Sequence, residues 1–228
     1  MPAHTHRTHA SGSTRAGVLG ANDGILSIAG LLLGVASAHA THDALLLAGV
    51  AGLVAGALSM GAGEYVSVSS QADIERADLE IERKALEADP DGEHAELQEI
   101  YVRRGLDPEL AAQVARELMR HDALGAHARD DIGITDALSA RPLQAAVAST
   151  LSFTVGGLVP VIAALLVPAQ HVGVWIAGVS LVSLAVLGAA AAHAGGAGVL
   201  RGATRVLVWG AATMALTSVI GHFIGAMP

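Results

Sequence analysis

Four stretches of the chain carry no Asp, Glu, Lys or Arg: residues 24–42, 44–63, 142–200 and 206–228. A helix needs roughly 20 mainly apolar residues to cross the ~30 Å hydrocarbon core of a bilayer. The 59-residue run at 142–200 is long enough for two crossings, with a break near Pro168–His171. The pattern therefore predicts five membrane-spanning helices, near 16–40, 44–69, 143–167, 172–193 and 203–226. No segment shows the period of two that a half-buried strand requires. The expected fold class is an all-α membrane protein. The polar, His-rich start and the Asp inside the first apolar run do not read as a cleavable signal peptide.

Between the second and third spans the pattern becomes amphipathic. From Ala44 to Ala88 there is no proline, and the last glycine is Gly63. The second span is therefore expected to continue past the membrane as one helix, about 67 Å long at 1.5 Å per residue. Its far half carries an apolar stripe, Ile74, Ala77, Ile81 and Ala85, at helical spacing. Asp89-Pro90-Asp91-Gly92 should stop it. A second helix is expected near 93–104, with Leu97, Ile100 and Tyr101 on one side and Gly105 as its C-terminal cap. Asp107 as N-cap and Pro108 in the first turn should start a third, facing inward through Leu110, Val114 and Leu118. Three short helices would form a small bundle at the inner mouth of the membrane body.

Composition changes the picture mainly through where the charge sits. The chain has 228 residues, 52% hydrophobic and 15% charged, with no cysteine and a net charge of -8. Without cysteine there is no disulfide scaffold, thiolate zinc site or catalytic thiol. Residues 71–141 hold 18 of the 21 acids and 9 of the 13 bases, so that segment carries -9 and the remainder +1. The acidic balance argues against nucleic acid as a partner. All thirteen bases fall within residues 1–15, 70–142 and 194–205. Bases mark the cytoplasmic side. The expected organisation is a cytoplasmic tail at 1–15, spans one and two at 16–70, a cytoplasmic acidic domain at 71–141 and spans three to five at 142–228, with the C-terminus outside.

Acidic residues inside the spans draw attention next. Asp23, beside Asn22, is some seven residues into the first span, where a carboxylate is costly unless it faces a polar interior. Asp43 sits at a predicted outer end, close to water. Glu64 is near the inner end of span two and serves either the interior or the interface by snorkelling. Ala48, Gly52, Gly56, Met60 and Glu64 recur every fourth residue. The first three form a small-residue ridge for close helix packing, as do Gly20/Gly24, Gly30/Gly34 and Gly221/Gly225. Met60 beside Glu64 suits weak, exchangeable binding of a borderline divalent metal, though a methionine there serves packing equally well.

The acidic segment has its own candidates. Glu93, Glu96 and Glu99 repeat every three residues, and His127 and Asp131 are four apart. Carboxylates with one imidazole and no thiolate suit Fe2+ or Mn2+ and admit Zn2+. The same acids also suit a solvated helix face. His4, His6 and His9 are either further ligands or part of a plain tail. No nucleophile–base pair, phosphate loop or zinc-protease motif is present, so neither an enzyme nor a prosthetic group is expected.

These residues resemble a known family. GANDGI at 20–25, AGALSMGAGEYVSVSSQ at 55–71, ELQEIY at 96–101, HARDDIG at 127–133, and Pro142 with FTVGGLVP at 153–160 are similar to the vacuolar iron transporter family. The resemblance covers about 15–225, most specifically in span two. It implies a homodimer of five-helix subunits with the ion path at the two-fold axis. It implies proton-coupled export of Fe2+, often also Mn2+, and a cytoplasmic metal-binding domain. It implies Asp23, Met60 and Glu64, with Asn22 beside them, as path residues, and Glu82, Glu96, Glu99 and Asp131 as ligands. Plant members carry a Met pair where His127 and Ala128 stand here, and Ala85 replaces an expected acid. The domain would then hold fewer metals or use His127 instead. One lysine and no organelle signal point to a prokaryotic plasma membrane. A passive divalent channel and a membrane-anchored metal sensor or buffer remain as alternatives.

Overall fold

The computed structural model describes residues 11–134 and 140–227; His4, His6 and His9 lie outside the described residues. Among the described residues there are helices and no strands. They are α1 (Ser11–Ser37), α2 (His42–Ala88), α3 (Pro90–Arg103), α4 (Pro108–His127), α5 (Pro142–Leu166), α6 (Val172–Ala194) and α7 (Val199–Gly225). Five of them, α1, α2, α5, α6 and α7, are long and apolar enough to cross a membrane. The second span does run on as one helix, over 47 residues. The chain divides into two compact units, one from residues up to Glu64 and from Gln144 onward, the other Tyr65–Leu143. Helix α2 contributes to both.

In the membrane unit, Ile25, Ile28 and Leu32 of α1 meet Leu45 and Leu53 of α2, Phe153 and Val161 of α5, Ile176 and Leu184 of α6, and Met214 of α7. Lipid is as apolar as these side chains, so burial drives little here; close packing and small residues hold the helices together. A Cβ on Gly24 would strike the α5 backbone at Phe153, and one on Gly156 would strike the α1 backbone at Ala21. Gly34 and Gly221 make the same kind of contact between α1 and α7. Of the glycine pairs noted in the sequence, Gly20/Gly24, Gly30/Gly34 and Gly221/Gly225 lie at helix seams, while the Leu31 and Phe153 side chains fill the room at Gly52 and Gly56. Leu47, Val50, Val54 and Leu58 of α2 face outward, as a hydrocarbon surrounding allows.

The second unit is organised by caps. Asp89 ends α2 and also caps α3, its Oδ1 accepting from the Gly92 N–H at 3.0 Å. The expected four-residue break is therefore a one-residue corner, and α3 begins at Pro90 rather than near 93. Gly105, at φ 100°, closes α3 with Gly105 N–H donating to the Val102 carbonyl and Leu106 N–H to that of Tyr101. Asp107 caps α4 by accepting from Glu109 N–H at 2.9 Å. Leu97, Ile100, Ala115 and Ala126 form the core, with Tyr101, Leu118 and Met119 against it.

Two expected faces are turned in part: on α4 Leu118 does pack against the core and Val114 is half-buried. Ala111 and Ala115 of α4 are fully buried, while Leu110 is 50% exposed. The small side chains let α4 come close to Leu97 and Ile100, which fill the space a leucine would have taken. On α2, Ile74 and Ile81 are 56% and 66% exposed, and of the expected stripe Ala85 is half-buried, beside Glu82 and Leu86. Replacing Gly156 with Val should cost about 1–3 kcal/mol by overpacking the α1–α5 seam. Gly178→Ala, where a Cβ meets nothing within 4 Å, should be neutral or slightly stabilising. Thermal unfolding of both variants in detergent checks this pair.

Candidate metal-binding sites

In the membrane unit an open groove of about 390 Å³ lies against Asp23, Ser27, Gly52, Gly56, Ser59 and Met60, floored by Ile28, Leu31 and Phe153. The Ser27 hydroxyl donates to Asp23 Oδ1 at 3.4 Å, one helical turn on. Gly52 and Gly56 have no side chains, and Leu31 and Phe153 occupy the room at those positions. This bare stretch of α2 brings the Met60 thioether to the groove that holds the Asp23 carboxylate. Asn22 is half-buried, and its Oδ1 is buried without a hydrogen-bond partner. Glu64, one turn past Met60, is exposed and does not line the groove.

The second unit gathers Glu82 of α2, Glu93 of α3 and His127 of α4, with one ligand atom of each within 4.8 Å of the others. His127 is fully buried. Its Nδ1 lies 2.8 Å from Glu82 Oε1 and 3.6 Å from Glu93 Oε2. These approaches lack hydrogen-bond geometry, and those atoms, together with His127 Nε2, have no hydrogen-bond partner. Buried polar atoms without partners cost about 1–3 kcal/mol each, and a shared cation would satisfy them. Burial pushes the Glu82 carboxyl above its usual pKa; His127 opposes this, while Glu93 and Asp131 push it further up.

Local structure explains how His127 arrives there. Helix α4 kinks at Asp122, whose Oδ1 accepts from Gly125 N–H at 3.0 Å and caps the piece carrying His127. A π-helical turn, Ala128–Ile132, follows. Within it Asp130 accepts from the Tyr101 hydroxyl at 2.9 Å, Arg104 Nη1 at 2.6 Å and Arg129 Nη2 at 2.7 Å, while Arg104 Nη2 reaches the Asp130 carbonyl at 3.0 Å. Burial alone would raise the Asp130 pKa; hydrogen bonds from Arg104, Arg129 and Tyr101 outweigh it and hold the carboxyl below its ordinary value. The end of α3 thus grips the segment that follows His127.

Other sequence candidates stand apart from this trio. Asp131 is exposed, though near enough to act on Glu82. Glu96 and Glu99 are exposed, and Glu99 pairs with Arg103 at 3.2 Å. Glu93 is the acid of that triplet that turns inward. The signal was available: Glu93, Leu97 and Ile100 are four and seven residues apart, so the carboxylate shares the apolar row. Asp130 had no such signal, because Arg104 and Tyr101, which tie it to the end of α3, are 26 and 29 residues away.

The model of the VIT family matches residues 14–222. A vacuolar iron transporter of Acanthamoeba castellanii is 46% identical over 219 residues, covering 96% of this chain and 81% of that protein. Vacuolar iron transporter homolog 1 of Oryza sativa subsp. japonica is 39% identical over 209 residues, 89% of this chain and 70% of the relative. Vacuolar iron transporter 1 of the same plant is 32% identical over 195 residues, 82% and 77% respectively.

Titration of the full-length protein with Zn2+ should lose one binding site in Glu82→Gln and in His127→Ala and none in Glu99→Gln. Asp130→Asn should weaken that site about 10- to 100-fold by loosening its support. Ligation requires the deprotonated carboxylate. With the Glu82 pKa raised, affinity should begin to fall at a higher pH than an ordinary carboxylate would give, and calorimetry across pH measures where.

Proposed function

The chain belongs to the VIT family, and on that footing we propose that it is a transporter exporting Fe2+, with Mn2+ as a second cargo, from the cytoplasm in exchange for protons. The observation that carries the proposal is the groove shared by Asp23 and Met60 between apolar spans. A carboxylate near the middle of a bilayer costs about 2.5–3.5 kcal/mol on insertion scales unless it has a function or a partner. Carboxylate, thioether and hydroxyl donors together suit a borderline cation and hold it loosely. When the metal leaves, the same carboxylate takes a proton, since proton and metal compete for one lone pair. Opening that groove alternately to the two faces makes the competition an exchange. Glu64, one turn further along α2, receives the ion on the inner side.

Glu82, Glu93 and His127 collect the metal before transport, with Asp131 beside them and Glu96 and Glu99 on the outer face of α3. Three donors without a thiolate suit Fe2+ and Mn2+ and also accept Zn2+. The -9 charge of residues 71–141 raises the local cation concentration. The distribution of bases supports a multi-pass cell-membrane protein with its N-terminus and the acidic segment cytoplasmic and its C-terminus outside. The exposed row Ile74, Ala77 and Ile81 supports a homodimer, since such a row on a charged segment needs an apolar partner.

In liposomes, Fe2+ flux should rise with an opposing pH gradient and fall at least about tenfold in Asp23→Ala combined with Glu64→Ala. Normal flux in that double variant defeats the proposal. Flux that ignores the proton gradient indicates a passive channel, and binding without flux indicates a buffer. Ile74→Asp with Ile81→Asp should shift the protein from dimer to monomer by light scattering; an unchanged dimer removes this row from the interface.

A further inference from the structure

A pair of imidazole side chains stands at the end of the membrane unit where α1 stops and α2 begins. There α7 crosses α1 in near backbone contact: a Cβ on Gly221 would meet the Gly34 backbone, and one on Gly225 would meet that of Ala38. That seam sets the last turns of α7 against the turn that follows α1. The residue after Gly221 is His222, and its ring faces His39 with centroids 6.3 Å apart and planes at 69°. His39 sits in the tight turn linking α1 to α2, at φ 58°, with its N–H donating to the Ala36 carbonyl at 3.2 Å. Both rings line an open cavity of about 560 Å³ with the hydroxyl-bearing Ser37 and Ser218. Among the described residues no carboxylate lines it. His42, three residues further along the chain, keeps its Nδ1 buried without a hydrogen-bond partner.

We propose that His39 and His222 form a binding site for a borderline divalent metal ion, with Ser37, Ser218 and water completing the coordination. Imidazole nitrogens favour zinc, cobalt, nickel and iron over the hard cations that prefer carboxylates. Metal–nitrogen bonds of about 2.0–2.1 Å place two rings that share an ion roughly 5–6 Å apart between centroids. The observed spacing reaches that range by small rotations of two exposed side chains. Two neutral ligands without a carboxylate make the site weaker than the Glu82–Glu93–His127 trio. They also make it poor for Mn2+. On the transport reading above, such a site suits release, because an ion must bind well enough to arrive and weakly enough to leave. The binding itself does not depend on that reading.

The test uses the full chain in detergent carrying Glu82→Gln, Glu93→Gln, His127→Ala and Asp23→Asn, titrated with Co2+ and followed by its ligand-field absorption. One weak site should remain, displaced readily by Zn2+ and poorly by Mn2+. It should weaken at least about tenfold in His39→Ala and in His222→Phe, the latter keeping an aromatic ring against His39. Absence of a residual site, or a residual site indifferent to both variants, overturns the proposal and leaves the rings as edge-to-face packing. In an otherwise unaltered chain in liposomes, His222→Phe should slow Fe2+ flux several-fold. Unchanged flux defeats the release role. If the unaltered chain carries no flux, the transport reading fails while the Co2+ titration still decides the site.

Discussion

Backbone-to-backbone contact through glycine holds the membrane unit together. Inside a bilayer, apolar side chains gain little by leaving lipid, so helices associate where they can approach most closely. Helix α1 does this on two sides, at Gly24 and Ala21 against α5 and at Gly34 against Gly221 of α7. The polar groups of interest are neighbours of these contacts along the chain. Asp23 precedes Gly24, Asn22 follows Ala21, and His222 follows Gly221. Their positions are inherited from seams that tolerate no side chain, which gives flexible or charged groups a rigid footing.

The second unit reaches a similar end by different means. Its helices are short, and their starts and stops are set by side-chain caps at Asp89, Asp107 and Asp122. Each of these caps satisfies a backbone N–H that a helix start leaves free. Asp130 adds a longer-range tie, joining the turn after His127 to Tyr101 and Arg104 of the α3 end. The ties matter because His127 is fully buried beside two carboxylates. An imidazole in that setting needs its backbone held, since nothing else in the trio forms a hydrogen bond to it.

The two donor sets differ in donors and in exposure. The trio offers two carboxylates and an imidazole in a shielded place, and desolvation raises the pKa of Glu82 there. The groove offers one carboxylate with a thioether and hydroxyls in an open one. Neither contains a thiolate, and the one soft donor between them is the Met60 thioether of the groove. At the trio, a carboxylate that costs energy to ionise away from water makes proton and metal direct competitors.

Much of the architecture could be read along the chain. Hydrocarbon excludes charge, so uninterrupted apolar length locates spans without reference to neighbours. Caps are likewise local: Asp107 with Pro108, and Gly105 after α3, act within a few residues. The candidate site was legible in part, for Asp23 and Met60 share a groove and Glu82 and His127 share a trio. What could not be read was which way a helix turns. Ile74 and Ile81 face out and Ala111 faces in, against the pattern of bulk; Asp130 ties the final turn to Tyr101 and Arg104, 29 and 26 residues away. A helix with several apolar rows buries the row that best fits the surfaces packed against it. Those surfaces come from segments far apart in the chain, and their shapes exist once the helices have met.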